Sequence, residues 1–408
     1  MVSWVLYDFA NTIFSYVVLT RYFTEWIVIE RGRPDWVVGL MSACVSLALV
    51  FALPVLGALS DRVGRHLPLL RLFTLAAVLA TAALGLVGSV LAALVVAGVA
   101  IFAFQAAEAQ YHPLLASVAA PERRARVSGL GTGLGYVGAL VALLALGAVV
   151  GEGENQRAFL PTAVLFGLFA LPCLVWVREA RRPAAPAAGT AGGLARRAFG
   201  DLSRSVRAAA RAPYGRFLVA RFLYYDAVAT VIAFMTVYAR RIGQPSAGEL
   251  TALLALSTVF AVLGALTAGL LAERLGPRRV LLGTVAGVAA VLALLGFTGS
   301  AAVLWVAGPL VGVALGFVST CDRVLLLRLL PAERRGEGFG LYALVGRVSS
   351  GFGPLVLWSG TIWLLSEALA VASVTGASRV AVLVLGASAL VGLAVLRRVP
   401  EGSPAAGP

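Results

Sequence analysis

The chain has 408 residues, 60% of them hydrophobic and only 13% charged, against about 25% charged in a soluble domain, so a soluble fold is excluded. Its net charge of +14 and pI of about 10.7 do not call for nucleic acid, because the short cytoplasmic loops of membrane proteins are themselves rich in basic residues. Lys is absent, and Cys44, Cys173 and Cys321 lie far apart inside apolar runs, with neither disulfide nor metal spacing.

Apolar runs long enough to cross a hydrocarbon core roughly 30 Å thick recur along the chain. They predict spans at 3–29, 36–59, 68–88, 91–118, 127–150, 158–178, 215–239, 248–272, 279–299, 301–330, 338–366 and 374–397. The first run carries Asp8 and Asn11, unlike a simple signal-peptide core. Gly351, Gly353 and Pro354 predict a kink in span 11. Arg concentrates in the loops after even-numbered spans: Arg62 and Arg65, Arg123 to Arg126, the 178–211 stretch, Arg274 to Arg279, and Arg334 with Arg335. The loops after odd-numbered spans hold few. Both termini are therefore expected in the cytoplasm, most simply at a bacterial inner membrane.

The chain repeats itself. "GALSDRVGR" at 57–65 matches "GLLAERLGPRR" at 269–279, "ERRARVSGL" at 122–130 matches "ERRGEGFGL" at 333–341, and "LYDFANTI" at 6–13 matches "YYDAVATVI" at 224–232. Three ordered matches at nearly one offset predict an all-α membrane protein of twelve transmembrane helices in two parallel six-helix pseudo-repeats. Residues 1–178 form the first half and 213–408 the second. Between them, 179–212 reads as a cytoplasmic linker: a flexible "RPAAPAAGTAGG", then a segment that puts Leu194, Phe199, Leu202 and Val206 on one helical face. Such a helix suits an anionic leaflet; a solvated basic connector is the alternative.

Two six-helix halves, a basic central loop and Gly57-x-Leu59-x-Asp61-Arg62-x-Gly64-Arg65 after span 2 resemble the major facilitator superfamily, whose loop 2–3 motif this pattern matches. His66 departs from the usual basic residue, and Glu273, Arg274 and Gly276 stand in the copy after span 8. Gly57 would let helices approach closely and Gly64 would allow a tight turn. Asp61 can accept hydrogen bonds from a helix N-terminus or an Arg. The resemblance implies that it latches onto the cytoplasmic end of span 11; a plain topology anchor is the other reading.

A narrower resemblance rests on Tyr7-Asp8-Phe9-Ala10-Asn11 in span 1, Tyr111 with "LLASVAAPERR", and Ser128-Gly129 with Gly135-Tyr136. These are similar to the family of fungal autophagy-related vacuolar amino-acid exporters and their bacterial relatives. His112 and Ala116 stand where that family commonly has Asn and Pro. The second half carries little of the resemblance, which implies amino-acid export.

In the superfamily, spans 1, 4, 7 and 10 line a central cavity. Each carries an acid here, Asp8, Glu108, Asp226 and Asp322, and an intramembrane ionisable group is a functional candidate by default. Asp8, Asn11, Thr12 and Ser15 share one helical face, either a polar cavity wall or a hydrogen-bonded helix seam. Arg21 and Glu25 read as an interfacial pair. Gln105, Glu108 and His112 share a face of span 4. A carboxyl beside an imidazole that titrates in the physiological range can carry a coupling proton; the alternative is an ion pair with a structural Arg. Asp226 and Thr230 share a face of span 7, with Arg221, Tyr224 and Tyr225 on another. Gly308, Gly312 and Gly316 of span 10 predict close packing, followed by Ser319, Asp322 and Arg323. Arg347 in span 11 reads as a buried cation with Asp322 and Glu108 as candidate partners.

The substrate-facing candidates are thus Asp8, Asn11, Thr12, Ser15, Gln105, His112, Tyr225, Asp226, Thr230 and Ser319, and the proton-coupling candidates Glu108, Asp8 and Asp322. No nucleotide loop or metal spacing is present, so neither an enzyme nor a cofactor is expected. The expected partners are a small-molecule substrate, the lipid bilayer and protons, with no nucleic acid. The function expected is secondary transport of a small polar solute, an amino acid by resemblance, through proton-coupled export. Drug or sugar transport, and a non-transporting receptor or scaffold on the same fold, are the alternatives.

Overall fold

In a computed structural model, residues 1–120, 123–179, 191–330 and 335–401 are described, apart from the side chains at 61, 116, 124–126, 128, 191–198, 201 and 335–337. Twelve described helices are long and apolar enough to cross a membrane: Val2–Glu30, Asp35–Ser60, Leu67–Leu84, Val90–Leu114, Gly129–Val149, Asn155–Trp176, Pro213–Ile242, Ala247–Leu275, Pro277–Thr298, Ala301–Leu329, Gly338–Ala368 and Val374–Leu396. They are spans 1 to 12. Each coincides with a predicted span to within a few residues.

Local chemistry sets several helix starts. Pro213 and Pro277 open spans 7 and 9, where a missing N–H costs nothing. The Ser89 and Ser373 side chains accept from Ala92 N and Gly376 N to cap spans 4 and 12. Ser246 and Glu249 form a reciprocal capping box on span 8.

Two spans are not uniform α-helix. Span 1 winds as π-helix over Ser15–Tyr22 and Trp26–Glu30. Span 11 does so over Gly353–Gly360 and Leu364–Ala368. The kink predicted around Gly351, Gly353 and Pro354 takes this form: the helix widens at Gly353 rather than breaking. The π-turn replaces i→i+4 pairing with i→i+5 and is frequent at functional positions.

The chain divides into two compact units. One comprises Met1–Arg33 and Cys44–Leu202; the other comprises Pro34–Ala43 and Ser203–Pro408. The start of span 2 therefore groups with the second unit. In the first unit span 1 packs on spans 5 and 6, and span 3 on spans 4 and 6. In the second, span 7 packs on spans 11 and 12, and span 9 on spans 10 and 12. The four pairings correspond one to one, as an internal repeat requires.

The repeat extends to the loops. Gly64 and Gly276 both adopt positive φ, 70° and 85°, which a side chain at either position would strain. Gly57 is different. A Cβ there would meet no described residue within 4 Å, so among the described residues no helix approaches it closely. The Glu179 carboxylate, just past span 6, accepts from the backbone N–H of His66 and Leu67 at 2.7 and 2.9 Å, capping the start of span 3. In the second unit Glu401, just past span 12, pairs with Arg279 at 3.3 Å. Glu179 and Glu401 thus each follow the last span of their repeat and bond the start of that repeat's third span. Arg62, Arg65, Glu273 and Arg274 are exposed, and the Asp61 side chain lies outside the described positions.

The linker helix spans Ala191–Ala210. Phe199 meets Phe51 of span 2 edge-on at 5.6 Å, while Val206 is exposed. The Leu194 side chain and residues 180–190 fall outside the described positions, and Ala191–Gly193, the end of the stretch read as flexible, already belong to the helix.

Candidate functional site

The polar face of span 1 sits against span 5. Gly131, Gly135 and Gly138 present a bare strip: a Cβ on Gly135 would stand 2.7 Å from Thr12 Oγ1, and one on Gly138 2.6 Å from the Phe9 carbonyl. Asp8 is the nearest neighbour of Gly131. Small residues let the helices approach this closely. Asp8, Thr12 and Ser15 nonetheless stay half-buried, so the face is a seam on one side and accessible on the other. The hydroxyls turn inward: Thr12 donates to the Asp8 carbonyl at 2.8 Å and Ser15 to the Thr12 carbonyl at 3.2 Å. Asn11 is buried and its Oδ1 has no partner.

Tyr111 ties span 4 to this face. Its ring stacks on Trp4 and Tyr7, with centroids 4.5 and 4.7 Å away. Its hydroxyl donates to the Trp4 carbonyl at 2.8 Å, and Tyr7 and Thr74 share a 2.6 Å hydrogen bond. Spans 1, 3 and 4 are thereby fixed together. Gln105 is buried, Glu108 half-buried and His112 exposed; the Glu108 carboxylate lies 3.9 Å from His112 Nε2. The carboxyl–imidazole pair expected from i, i+4 spacing is in place.

One polar group of this unit escapes sequence reasoning. Gln110, fully buried, accepts from Ser60 at 2.5 Å and lies 3.1 Å from His66 Nδ1. Its only signal was an amide inside an apolar run. The Arg21–Glu25 pair is legible from its i, i+4 spacing. It closes at 2.5 Å, and both side chains are buried in the protein.

In the second unit the dominant cluster surrounds Arg221. Its guanidinium bonds Asp322 at 3.0 Å and lies 4.3 and 3.7 Å from the ring centroids of Tyr225 and Tyr342. Tyr224 donates to the other Asp322 oxygen at 2.6 Å. Spans 7, 10 and 11 meet here. Sequence spacing set Arg221 and Tyr224 on a face apart from Asp226 and Thr230, and left Asp322 as a candidate partner of Arg347. The structure assigns it to Arg221 instead; Arg323 is exposed and Arg347 half-buried. Ser319 is half-buried and donates to the Gly316 carbonyl at 3.1 Å.

One turn further along span 7, Asp226 and Thr230 are fully buried. Asp226 Oδ1 accepts from Gly353 N at 2.8 Å. A third cluster gathers around Asp35. Arg241 of span 7 chelates its carboxylate at 2.6 and 3.0 Å, Trp358 of span 11 donates at 2.8 Å, and Arg241 also donates to Ser378 of span 12 at 3.0 Å. Sequence reading names neither Asp35 nor Arg241 as a site residue. No short-range pattern joins residues more than two hundred positions apart.

Twelve membrane-length helices, a repeated packing scheme in each half and charged groups buried among the spans define a multi-pass membrane protein of the two-repeat transporter class, not an enzyme. The chain belongs to the major facilitator superfamily, whose family model matches residues 5–354. It is 27% identical to an uncharacterised MFS-type transporter, YxiO, of Bacillus subtilis, over 98% of this chain and 94% of that protein. It is 28% identical to autophagy-related protein 22-1 of Aspergillus fumigatus over 62% of this chain; the match covers only 46% of that fungal protein. Among solved structures, the nucleoside transporter NupG superposes with a TM-score of 0.76 at 13% identity, covering 97% of this chain and 98% of that one. A D-xylose–proton symporter does so at 0.70 and 14% identity, covering 98% and 97%.

Proposed function

We propose that this chain is a secondary transporter that exports a small polar, amino-acid-like solute in exchange for protons by alternating access. The carrying observation is the span 1 face: a buried Asn11 carbonyl oxygen with no donor, one turn from the half-buried Asp8 carboxylate. A buried acceptor left unmatched is costly, and an acceptor beside an acid suits the ammonium group of a zwitterion. Gln105, His112, Tyr225 and Ser319 are proposed as further solute contacts. Glu108, with His112 3.9 Å away, is proposed to exchange the coupling proton.

Flux into proteoliposomes tests this directly. Amino acids should move in response to a pH gradient, ahead of nucleosides and sugars. No flux for any solute would favour a receptor or scaffold. Glu108→Gln should abolish gradient-driven flux yet preserve exchange of labelled for unlabelled solute, which needs no net proton movement. Normal gradient-driven flux in that variant would remove Glu108 from the coupling.

The reading places both termini in the cytoplasm of a bacterial cell, in line with the Arg distribution. Single cysteines at the exposed positions Gly32 and Gly153, in a background lacking the native three, should then react with an impermeant reagent from outside. One at Gly200 should react only from inside. Reversed labelling would overturn the orientation.

A further inference from the structure

Asp226 is a buried carboxyl with an incomplete set of partners. It is 1% exposed, midway along span 7. Oδ1 accepts the Gly353 N–H; Oδ2 has no partner, and neither does the Thr230 hydroxyl one turn away. The two orphans lie together. Both Asp226 oxygens are 2.6 Å from the point where a Cβ on Gly353 would stand, and the Thr230 hydroxyl is nearer still. Only a glycine at 353 leaves room for the three groups.

The elements packed on span 7 at this level are spans 10, 11 and 12. Their charged groups, and those of span 7 itself, are engaged elsewhere or remote. Arg221 and Asp322 neutralise one another, with Tyr224 on the same carboxylate. Tyr225 and Tyr342 flank the Arg221 guanidinium. Arg323 is exposed, and Arg347 stands six residues before Gly353, half-buried. Arg379 of span 12 bonds the Gly296 and Phe297 carbonyls. Among the described residues no cation pairs with Asp226.

An ionised carboxylate with one hydrogen bond and no counter-ion is expensive inside a membrane. A proton on Oδ2 removes the charge. It also turns Oδ2 into a donor, and the Thr230 oxygen, one turn along the span, is the acceptor that a rotation of its side chain would bring to it. Losing that proton would leave a carboxylate that grips the Gly353 N–H harder, since a charged acceptor makes the stronger bond. Gly353 is also where span 11 changes from α to π winding, and Pro354 has no N–H to share.

We propose that Asp226, Thr230 and Gly353 form a buried proton-binding site, occupied in this conformation, through which protonation is read out by the α-to-π junction of span 11. Its role in transport rests on the proton-coupled reading above; its occupancy does not. Infrared spectra of the purified protein in lipid at neutral pH separate the two. Asp226→Asn should remove one protonated-carboxyl C=O band, and Thr230→Val should move that band to higher frequency by deleting the acceptor. Loss of a carboxylate band in Asp226→Asn, or an unshifted spectrum in Thr230→Val, would overturn the site. The second variant keeps the test open should the first fail to fold. A band that behaves as expected in a protein that moves no solute would leave the site standing and the transport reading fallen.

Discussion

Asp322→Asn should lower the stability of the purified protein in detergent by about 3–5 kcal/mol, the usual cost of leaving one member of a buried ion pair uncompensated. The reason lies in the burial of both partners, 0% exposed for the acid side chain and 5% for Arg221. With Asp322 neutral, the guanidinium keeps its two aromatic faces and the Tyr342 carbonyl, but loses its counter-ion. Arg221→Met should cost a similar amount, because it strands the carboxylate with only Tyr224. The double variant Arg221→Met with Asp322→Leu should recover most of the loss, since an apolar pair of similar volume often replaces a buried ion pair without penalty. Thermal unfolding of the four proteins decides it. Additive single losses in the double variant would mean that the residues act separately and that the pair is not the junction of spans 7, 10 and 11.

Gly316→Leu should leave little folded protein. The seam between spans 8 and 10 is built on backbone contact. A Cβ on Gly312 would overlap the Ser257 carbonyl and one on Gly316 the Ala261 carbonyl, while Gly264 reciprocally faces the Val313 backbone at 2.5–3.1 Å. No rotamer relieves such a clash, so both helices must move apart along the seam. Overpacking typically costs about 1–3 kcal/mol where neighbours can shift; here the neighbours are main chain, and the loss should exceed that. A control at Gly283, whose Cβ would meet nothing within 4 Å, should tolerate Ala or Leu. Size-exclusion profiles and thermal unfolding after membrane extraction give the comparison. A monodisperse, stable Gly316→Leu protein would mean that the seam is not tightly closed.

Much of this molecule is local and therefore readable. Twelve spans follow from run length against bilayer thickness. The two-fold repeat follows from three matched segments. The Gly308–Gly312–Gly316 seam follows from four-residue spacing, because residues four apart share a helical face. The turn at Gly64 follows from the residue type that tolerates positive φ. Facing charges one turn apart, as in Glu108 with His112 and Arg21 with Glu25, are local as well, although the burial of the Arg21 pair is not.

What the tertiary structure decided is which distant groups meet. Arg221 and Asp322 are 101 positions apart, and Asp35 and Arg241 are 206 apart. In a chain with few charges, every acid has several formally eligible partners. Helical periodicity fixes the face a residue occupies, but not the azimuth of that face towards its neighbours. That azimuth is set by packing, through the glycine strip on span 5, the Tyr111 stack and the widened turn at Gly353. It is why Asp322 found Arg221 rather than Arg347, why a Cβ on Gly57 would meet no described residue within 4 Å, and why Asp226, one polar residue among several in the sequence, is a membrane-span carboxyl left buried with an unmatched oxygen.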